Sequence, residues 1–364
     1  MIPYLSLIMD VLALFAVYMI ITVSLNLEVG YAGIPQFGKV LVVATGAFVA
    51  GALPGRLMAL MMGLPVGEEY IAQNAKIMTI ISRNLQTNPA LSIGLLLLTL
   101  VVAAAAGAAM GIIASRPAIR LREAYLGITL LSMGDTLVVI GHNFPPLIGG
   151  PLGVAVPDPM AWVGREFRFP AMSIVMLMVA VAVLVFAERL VRSPFGRTSR
   201  AMRDCELATK VMGKDIVRLR TSVITVSSAL GALGGALFAF YSGMVVAAGY
   251  DKAGWTFWPW AYMILGGTAN NIGVTAGVLI FLIVRRLIIL YKGALAFIVP
   301  FDPVWVEPLL LGLSLMFIVM FKPGGIIPEK PTHTLSPERI REIMTAESEE
   351  PAEETRKESK RSPS

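Results

Sequence analysis

The sequence predicts an all-α protein: a polytopic transmembrane helical bundle with about nine spans (eight to ten), some of them broken. Of its 364 residues, 56% are hydrophobic and only 15% are charged, whereas soluble domains carry about 25% charged residues. A soluble fold of this size could not cover so much apolar surface with so few polar groups. Apolar stretches near the roughly 20 residues that cross a bilayer also recur along the chain. The predicted spans are 6–27, 38–63, 90–114, 125–146, 170–187, 220–248, 254–268, 271–291 and 304–321.

The chain divides into two parts of different composition. Residues 1–330 contain all of the predicted spans and form a transmembrane domain. Residues 331–364 carry many charges of both signs and few apolar side chains, a composition typical of disordered segments. We therefore expect a polar, disordered tail after the last span.

Basic residues predict the orientation of the bundle. Segment 188–220 carries nine of the 30 Lys and Arg residues against four acids, and basic segments of this kind remain in the cytoplasm. Counting spans from this segment places the N-terminus outside and the tail 331–364 in the cytoplasm. Loop 115–123, which contains three arginines, then also lies inside. We expect a multi-pass protein of the cell (inner or plasma) membrane, with the lipid bilayer as its surroundings.

Reactive and metal-binding side chains are scarce. Cys205 is the only cysteine, and His142 and His333 are the only histidines, so we expect no metal site. The sequence contains no phosphate-binding loop of the form G-x-x-x-x-G-K-[ST] and no cluster of nucleophile and base. We therefore expect a chain that is not an enzyme and takes its energy from another subunit or from an ion gradient. The basic isoelectric point of about 9.5 follows from membrane orientation, so nucleic acid is not an expected partner.

Residues 26–40 form the first segment that interrupts the apolar runs, with Gly30, Gly33, Pro35 and Gly38. Non-helical backbone at membrane depth must be buried in protein or line a wet cavity, because lipid cannot satisfy its polar groups. We interpret this segment as a broken helix beside a translocation path. An ordinary cytoplasmic turn fits the same spacing.

Residues 255–273 form the second interruption. Three tryptophans and Pro259 precede a small and polar stretch, which contains Gly266, Gly267, Asn270 and Asn271. The stretch is consistent with a discontinuous helix, and also with an aromatic belt at the membrane interface followed by a loop.

Gly231 and Gly235 give a G-x-x-x-G pattern, which is typical of closely packed helices. We expect this face to pack within the chain, and an oligomer interface is the alternative.

Segment 192–220 is too charged to cross the membrane, yet it contains a short helical pattern over 204–212. Asp204 suits the N-cap position, and Gly213 suits the position just after the helix. We interpret the helix as a docking site for a cytosolic motor, in preference to a segment attracted only by anionic lipid.

A few charged residues lie inside apolar runs. Asp10 lies in the first span, and Asp135 lies about two turns before His142 and Asn143 in the fourth. Intramembrane carboxylates are costly and often functional. A proton relay is one interpretation, and an acid that faces a neighbouring helix or a wet cavity is the other. Lys39 opens the second span and is expected at the inner interface.

The charged segment resembles the cytoplasmic coupling segment of the branched-chain amino acid permeases of ATP-binding-cassette (ABC) importers, and most closely the M-type member of their two-permease pair. The matching residues are Ser193, Pro194, Gly196, Arg197, Arg200, Arg203, Glu206, Ala208 and Gly213, together with Ala201. LNLEVGYAGIPQFG, LREAYLGITLLSMGD, ILGGTANNIGVTAGVLI and FKPGGIIPEKP are similar to further motifs of the same family, in the same order. The resemblance covers about residues 20–330.

The resemblance implies a permease domain over 1–330 that imports leucine, isoleucine and valine. It also implies a second permease subunit, two cytosolic ABC ATPase subunits and an extracytoplasmic solute-binding protein as partners. ATP and Mg would be bound by the ATPases, and this chain would hold no cofactor. Polar and flexible residues of the spans would line the path. The candidates are Asn26, Gly30, Gly33, Thr45, Asp135, Asn143, Gly266, Gly267, Asn270 and Asn271.

The sequence departs from the family pattern at Lys39, at Ile34 with Pro35, and at Thr198. The first two departures lie near the expected substrate path, so another small polar solute (a sugar, nucleoside or amide) remains an alternative cargo. An ion-coupled secondary carrier is a second alternative, in which Asp10 and Asp135 would be essential. A carrier has no need of the docking helix.

Overall fold

The structure is a computed structural model, and it describes residues 3–121, 123–291, 305–321 and 324–329. The chain forms two compact units, Met1–Pro328 and Glu329–Ser364. All helices and strands of the described ranges belong to the first unit. The predicted tail 331–364 lies outside the described residues.

The described part of the chain is mainly helical and contains almost no strand, which confirms the predicted fold class. The helices are α1 (Pro3–Asn26), α2 (Lys39–Met61), α3 (Glu68–Ala72), α4 (Asn74–Thr87), α5 (Pro89–Arg120), α6 (Glu123–Asn143), α7 (Pro145–Ile148), α8 (Arg168–Arg192), α9 (Pro194–Asp204), α10 (Glu206–Val211), α11 (Ile216–Ser242), α12 (Trp258–Gly266), α13 (Asn271–Leu290) and α14 (Val306–Phe321). The π-helical turn Leu27–Tyr31 follows α1, the π-helical turn Ala253–Phe257 precedes α12, and Ala247–Gly249 forms a 3₁₀ turn.

The strands found in the described ranges are β1 (Val154–Ala155) and β2 (Met244–Val245). They pair antiparallel, with Val154 opposite Val245. The pair joins the loop after α7 to the end of α11, because β2 follows Ser242 directly. It therefore marks the end of the bundle where α11 finishes.

Seven helices of the described residues are long and apolar enough to cross a membrane. They cover Leu7–Tyr31, Lys39–Met61, Pro89–Ala118, Tyr125–Asn143, Arg168–Arg192, Ile216–Ser242 and Asn271–Leu290. The predicted spans 254–268 and 304–321 contain α12 with nine residues and α14 with 16, and each is shorter than the roughly 20 residues of a full span. The multi-pass helical bundle is therefore confirmed, whereas the count of nine is not.

Helices α2 and α11 form the centre of the bundle. Within their most apolar stretches, 67% and 72% of the residues are buried, against 28–33% in α5, α6, α8 and α13. Helices α1 and α12 complete the core with a cluster of buried aromatic rings, in which Tyr18 stacks on Trp255 and meets Tyr262 edge to face. The outer helices present apolar faces, which suits a chain surrounded by lipid or by other membrane subunits.

The two central helices approach closely because glycines line their contact. A Cβ atom at Gly46 would lie 1.9 Å from the carbonyl oxygen of Ala232, and one at Gly235 would lie 1.9 Å from that of Val43. Gly231 lies against Val42 and Lys39 in the same contact. The predicted packing of the G-x-x-x-G face within the chain is therefore confirmed.

Replacing Gly235 by alanine is expected to destabilise the bundle by about 1–3 kcal/mol, since the new methyl group would force α2 and α11 apart. Thermal unfolding of the detergent-solubilised protein measures the change. Gly94→Ala is the matched control, because nothing lies within 4 Å of a Cβ at this helical position, and alanine is the better helix former. Equal melting temperatures for the two variants would contradict the close packing.

Candidate functional site

The first of two breaks in the helical bundle follows α1. Helix α1 passes into the π-helical turn Leu27–Tyr31, and residues 33–38 then form no regular structure before α2 begins at Lys39. Most of residues 27–38 are nevertheless buried. The predicted broken helix is therefore confirmed, because a solvated cytoplasmic turn would be exposed. We call residues 27–38 the first break.

The second break, residues 267–270, separates α12 from α13. Gly267 and Ala269 have positive φ angles of 116° and 58°. The side chain of Asn270 accepts hydrogen bonds from the backbone N–H groups of Ile272 and Gly273, both at 3.1 Å, and so caps α13. The predicted discontinuous helix is confirmed here as well.

The segment 324–328, which follows α14, covers the second break. The backbone N–H groups of Ile326 and Ile327 donate to the carbonyl oxygens of Leu265 and Gly266, each at 3.0 Å. Gly267 must lack a side chain, because a Cβ there would lie 2.3 Å from the Ile327 carbonyl oxygen. The chain after α14 therefore donates hydrogen bonds to carbonyl groups at the end of α12 that have no partner within that helix.

The side-chain amide of Asn26, the last residue of α1 before the first break, binds the second break and α13. Its Oδ1 accepts a hydrogen bond from the backbone N–H of Ala269 at 2.9 Å, and its Nδ2 donates to Asn271 Oδ1 at 3.0 Å. Asn271 Nδ2 in turn donates to Glu188 Oε2 near the end of α8, at 3.1 Å. Four elements of the bundle (α1, the second break, α13 and α8) are thus connected by one chain of hydrogen bonds.

The predicted coupling segment, residues 193–213, contains two helices where the sequence predicted one over 204–212. Helix α9 begins at Pro194, which is well suited to the first helical position because its ring fixes φ and it has no N–H to leave unpaired. Asp204 ends α9, so its predicted role as an N-cap is wrong, and Cys205 precedes α10 instead. Gly213, with φ 75°, lies just after the end of α10 as predicted.

Two arginines attach α9 to the bundle. Arg203 Nη1 donates to the carbonyl oxygen of Gly30 in the first break at 2.6 Å, and its aliphatic stem lies against Gly33, where a Cβ would be 2.9 Å from Arg203 Cγ. Arg200 Nη2 donates to the carbonyl oxygen of Val191 at 2.9 Å, and its guanidinium group lies 5.8 Å from the ring centre of Tyr31. The predicted coupling segment and the first break are therefore in direct contact.

Helix α10 is held to α11 and exposes an apolar surface. Glu206 forms an ion pair with Arg220 at 2.7 Å. Leu207, Val211 and Met212 are 72%, 81% and 79% exposed, although they lie outside every candidate span. We call these three residues the docking surface. Of the other predicted coupling residues, Ser193 is half-buried, Gly196 is buried against Val191, and Pro194, Arg197 and Ala208 are exposed.

A buried ion pair lies behind the first break, and the sequence did not predict it. Lys39 Nζ lies 3.2 Å from Glu28 Oε2, and both side chains are fully buried. Lys39 also donates to Ser227 Oγ of α11 at 2.8 Å, and Ser227 donates to the carbonyl oxygen of Ser24. Lys39 is therefore enclosed by the bundle rather than exposed, and its predicted level at the inner interface stays a prediction. The sequence did offer one signal for this pair: Glu28 is the only carboxylate in residues 26–40, the segment that also contains Lys39.

Not all of the predicted path residues lie together. Asn26, Gly30, Gly33, Gly266, Gly267, Asn270 and Asn271 all belong to or contact the two breaks. Thr45 bonds to the Leu41 carbonyl of its own helix, and Asn143 bonds to that of Val139. Asp135 is about half exposed and pairs with Lys252 at 3.0 Å. Their placement on a translocation path stays a prediction.

Comparisons with known proteins identify the family. A family model described as branched-chain amino acid transport system / permease component matches residues 7–320. The probable branched-chain amino acid transport permease protein LivM of Methanocaldococcus jannaschii is 38% identical over 341 residues, which are 93% of this chain and 98% of that protein. The high-affinity branched-chain amino acid transport system permease protein LivM of Salmonella typhimurium is 26% identical over 252 residues, 62% of this chain and 55% of that protein. The Escherichia coli protein of the same name is 25% identical over 252 residues.

No solved structure matches the chain significantly. The family match nevertheless covers both breaks and the predicted coupling segment. Hydrogen bonds within the bundle connect these three parts. The relative from M. jannaschii extends over nearly the whole length of both chains. The chain therefore belongs to the family of permease components of branched-chain amino acid transport systems.

Proposed function

We propose that this chain is a membrane-spanning permease subunit of an ABC importer and forms part of the translocation path for leucine, isoleucine and valine. In this proposal it pairs with a second permease subunit and receives substrate from an extracytoplasmic binding protein. Two cytosolic subunits bind ATP and Mg and hydrolyse ATP, and the chain itself is not an enzyme. Its tail 331–364 lies in the cytoplasm.

The observation that carries the proposal is the exposed docking surface on an ordered, basic segment between two spans. Large apolar side chains that lie outside the spans and are about three-quarters exposed are typical of a protein interface. Arg203 and Glu206 hold the segment rigidly against the bundle, so a force applied to α10 would reach the first break. Binding to anionic lipid, the alternative interpretation, would explain the basic residues of the segment but not its exposed apolar residues.

The contacts of Asp10 and Asp135 do not favour the ion-coupled carrier. Asp10 pairs with Arg286 at 3.0 Å and accepts a hydrogen bond from Tyr241, and Asp135 pairs with Lys252. The charge of each carboxylate is thus already compensated by a basic side chain of the chain itself, so neither needs a coupling ion for that purpose. The ABC importer is therefore the function that we propose.

An uptake assay tests both the energy source and the cargo. The chain, purified with its co-purifying subunits and reconstituted in proteoliposomes, is expected to accumulate labelled leucine only when ATP is present on the cytoplasmic side and the binding protein on the other. An excess of isoleucine or valine should suppress this uptake at least tenfold, whereas a sugar, a nucleoside or an amide should not. Uptake driven by a proton or sodium gradient without ATP would contradict the proposal, and competition by another solute class would change the cargo.

A further inference from the structure

The amide of Asn26 satisfies two buried groups that belong to different elements. Asn26, Asn271 and Ala269 are 0%, 1% and 6% exposed. The Ala269 N–H needs an acceptor and Asn271 Oδ1 needs a donor, and an amide supplies both from one side chain. The fit is tight, because a Cβ at Gly30 would lie 2.1 Å from Asn26 Oδ1 and 2.6 Å from the Ala269 nitrogen.

Two routes lead from the coupling segment to this amide. On the first route, Arg203 of α9 holds the carbonyl oxygen of Gly30, which lies one turn after Asn26. On the second, Arg192 at the end of α8 pairs with Glu188 at 2.8 Å, and Glu188 accepts the hydrogen bond from Asn271. The first route begins near the end of α9 and the second just before α9 starts, and both converge on Asn26.

The backbone of the second break depends on the bond that Asn26 supplies. Ala269 is the only non-glycine residue of the described ranges with a positive φ, and a side chain at such a φ is strained. Strained conformations persist where surrounding contacts hold them. Here the Ala269 N–H is held by Asn26, and the next residue, Asn270, is held by capping α13 and by donating to the Pro328 carbonyl at 3.2 Å.

We propose that Asn26 is a positioning residue for transport: its amide transmits the displacement of α9 and the first break to the second break, so that both breaks move together. The proposal rests on the proposed function. Asn26 is fully buried and is not part of the docking surface, so its loss should leave ATP hydrolysis intact and should separate hydrolysis from transport.

The test measures the ratio of leucine transported to ATP hydrolysed in proteoliposomes that contain the co-purified complex. Asn26→Ala is expected to lower this ratio about tenfold, the size of a typical coupling between sites, while the ATPase rate and the amount of assembled complex stay within about twofold. Thr22→Ala is the matched control. Thr22 is also fully buried in α1, but its hydroxyl donates to the Tyr18 carbonyl of its own helix at 2.6 Å, so its ratio should not change.

Asn26→Leu decides the question if the alanine variant does not assemble. Leucine keeps about the same side-chain volume but can neither accept from the Ala269 N–H nor donate to Asn271, so the ratio should again fall. An unchanged ratio in either assembled variant would overturn the proposal. Loss of assembly in both variants, with Thr22→Ala intact, would make Asn26 merely structural and would overturn it as well. If the unaltered complex does not couple leucine uptake to ATP, the proposed function itself fails.

Discussion

Lys39→Met is expected to destabilise the transmembrane bundle by about 3–5 kcal/mol, because it leaves the fully buried Glu28 carboxylate without its cation. The lysine also donates to Ser227, so the variant removes a link among α2, the first break and α11. Thermal unfolding of the purified protein in detergent measures the loss, and expression at lower yield should accompany it.

The double variant Lys39→Met with Glu28→Gln tests the cause of that loss. Replacing both members of a buried pair by uncharged groups removes the unpaired charge, so most of the stability should return. Lys252→Met is the matched control, because its partner Asp135 is about half exposed and such pairs contribute about 0–1 kcal/mol. If the double variant were as unstable as Lys39→Met, the ion pair would not be the source of the stability.

Leu207→Asp combined with Val211→Asp is expected to reduce the capture of cytosolic ATPases by the solubilised chain at least tenfold. Both side chains belong to the docking surface, and an unpaired carboxylate buried in an apolar interface is expected to cost about 2 kcal/mol or more through desolvation, which exceeds a factor of ten in affinity. Fold stability should not change, since neither side chain is buried. Quantitative analysis of the co-purifying proteins measures the effect.

Leu152→Asp is the control for this variant. Leu152 is 81% exposed, but it lies two residues before β1, which is paired to the end of α11, whereas α10 precedes the start of α11. The two positions are therefore separated by the length of a 27-residue helix, about 40 Å at 1.5 Å per residue. An equal fall in ATPase capture in the two variants would contradict docking at α10, and so would the absence of any fall in the variant with both Leu207 and Val211 replaced.

The sequence predicted those features that depend on local composition. Apolar length predicted the seven long spans, and the glycines and prolines of 26–40 and 255–273 predicted the two breaks, because these residues change the backbone directly. The pattern around Gly213 predicted the end of α10 for the same reason. Where a helix is cut short by a break, as α12 is at Gly267, length alone could not settle the number of spans.

Contacts between distant residues could not be predicted in this way. The choice of Asp204 as an N-cap was reasonable by residue type, yet Pro194 starts a helix ten residues earlier and Asp204 falls at its end. The pairs Lys39–Ser227 and Asn26–Asn271 are separated by 188 and 245 residues. Only the packing of α2 against α11 and of α1 against α13 brings them together. Asp135 of α6 likewise meets Lys252, which lies 117 residues further along the chain, only in the folded bundle.

The most direct test of the central claim uses Cys205, the only cysteine of the chain, which is exposed between α9 and α10. A thiol-directed photo-crosslinker attached there, in native membranes, should capture a cytosolic ATP-hydrolysing subunit. The same reagent in Cys205→Ser with Leu152→Cys should not capture it. We expect the ATPase to be crosslinked from residue 205 and not from residue 152. Its absence from residue 205, or its equal capture from residue 152, would contradict the assignment of α9 and α10 as the coupling segment of an ABC permease.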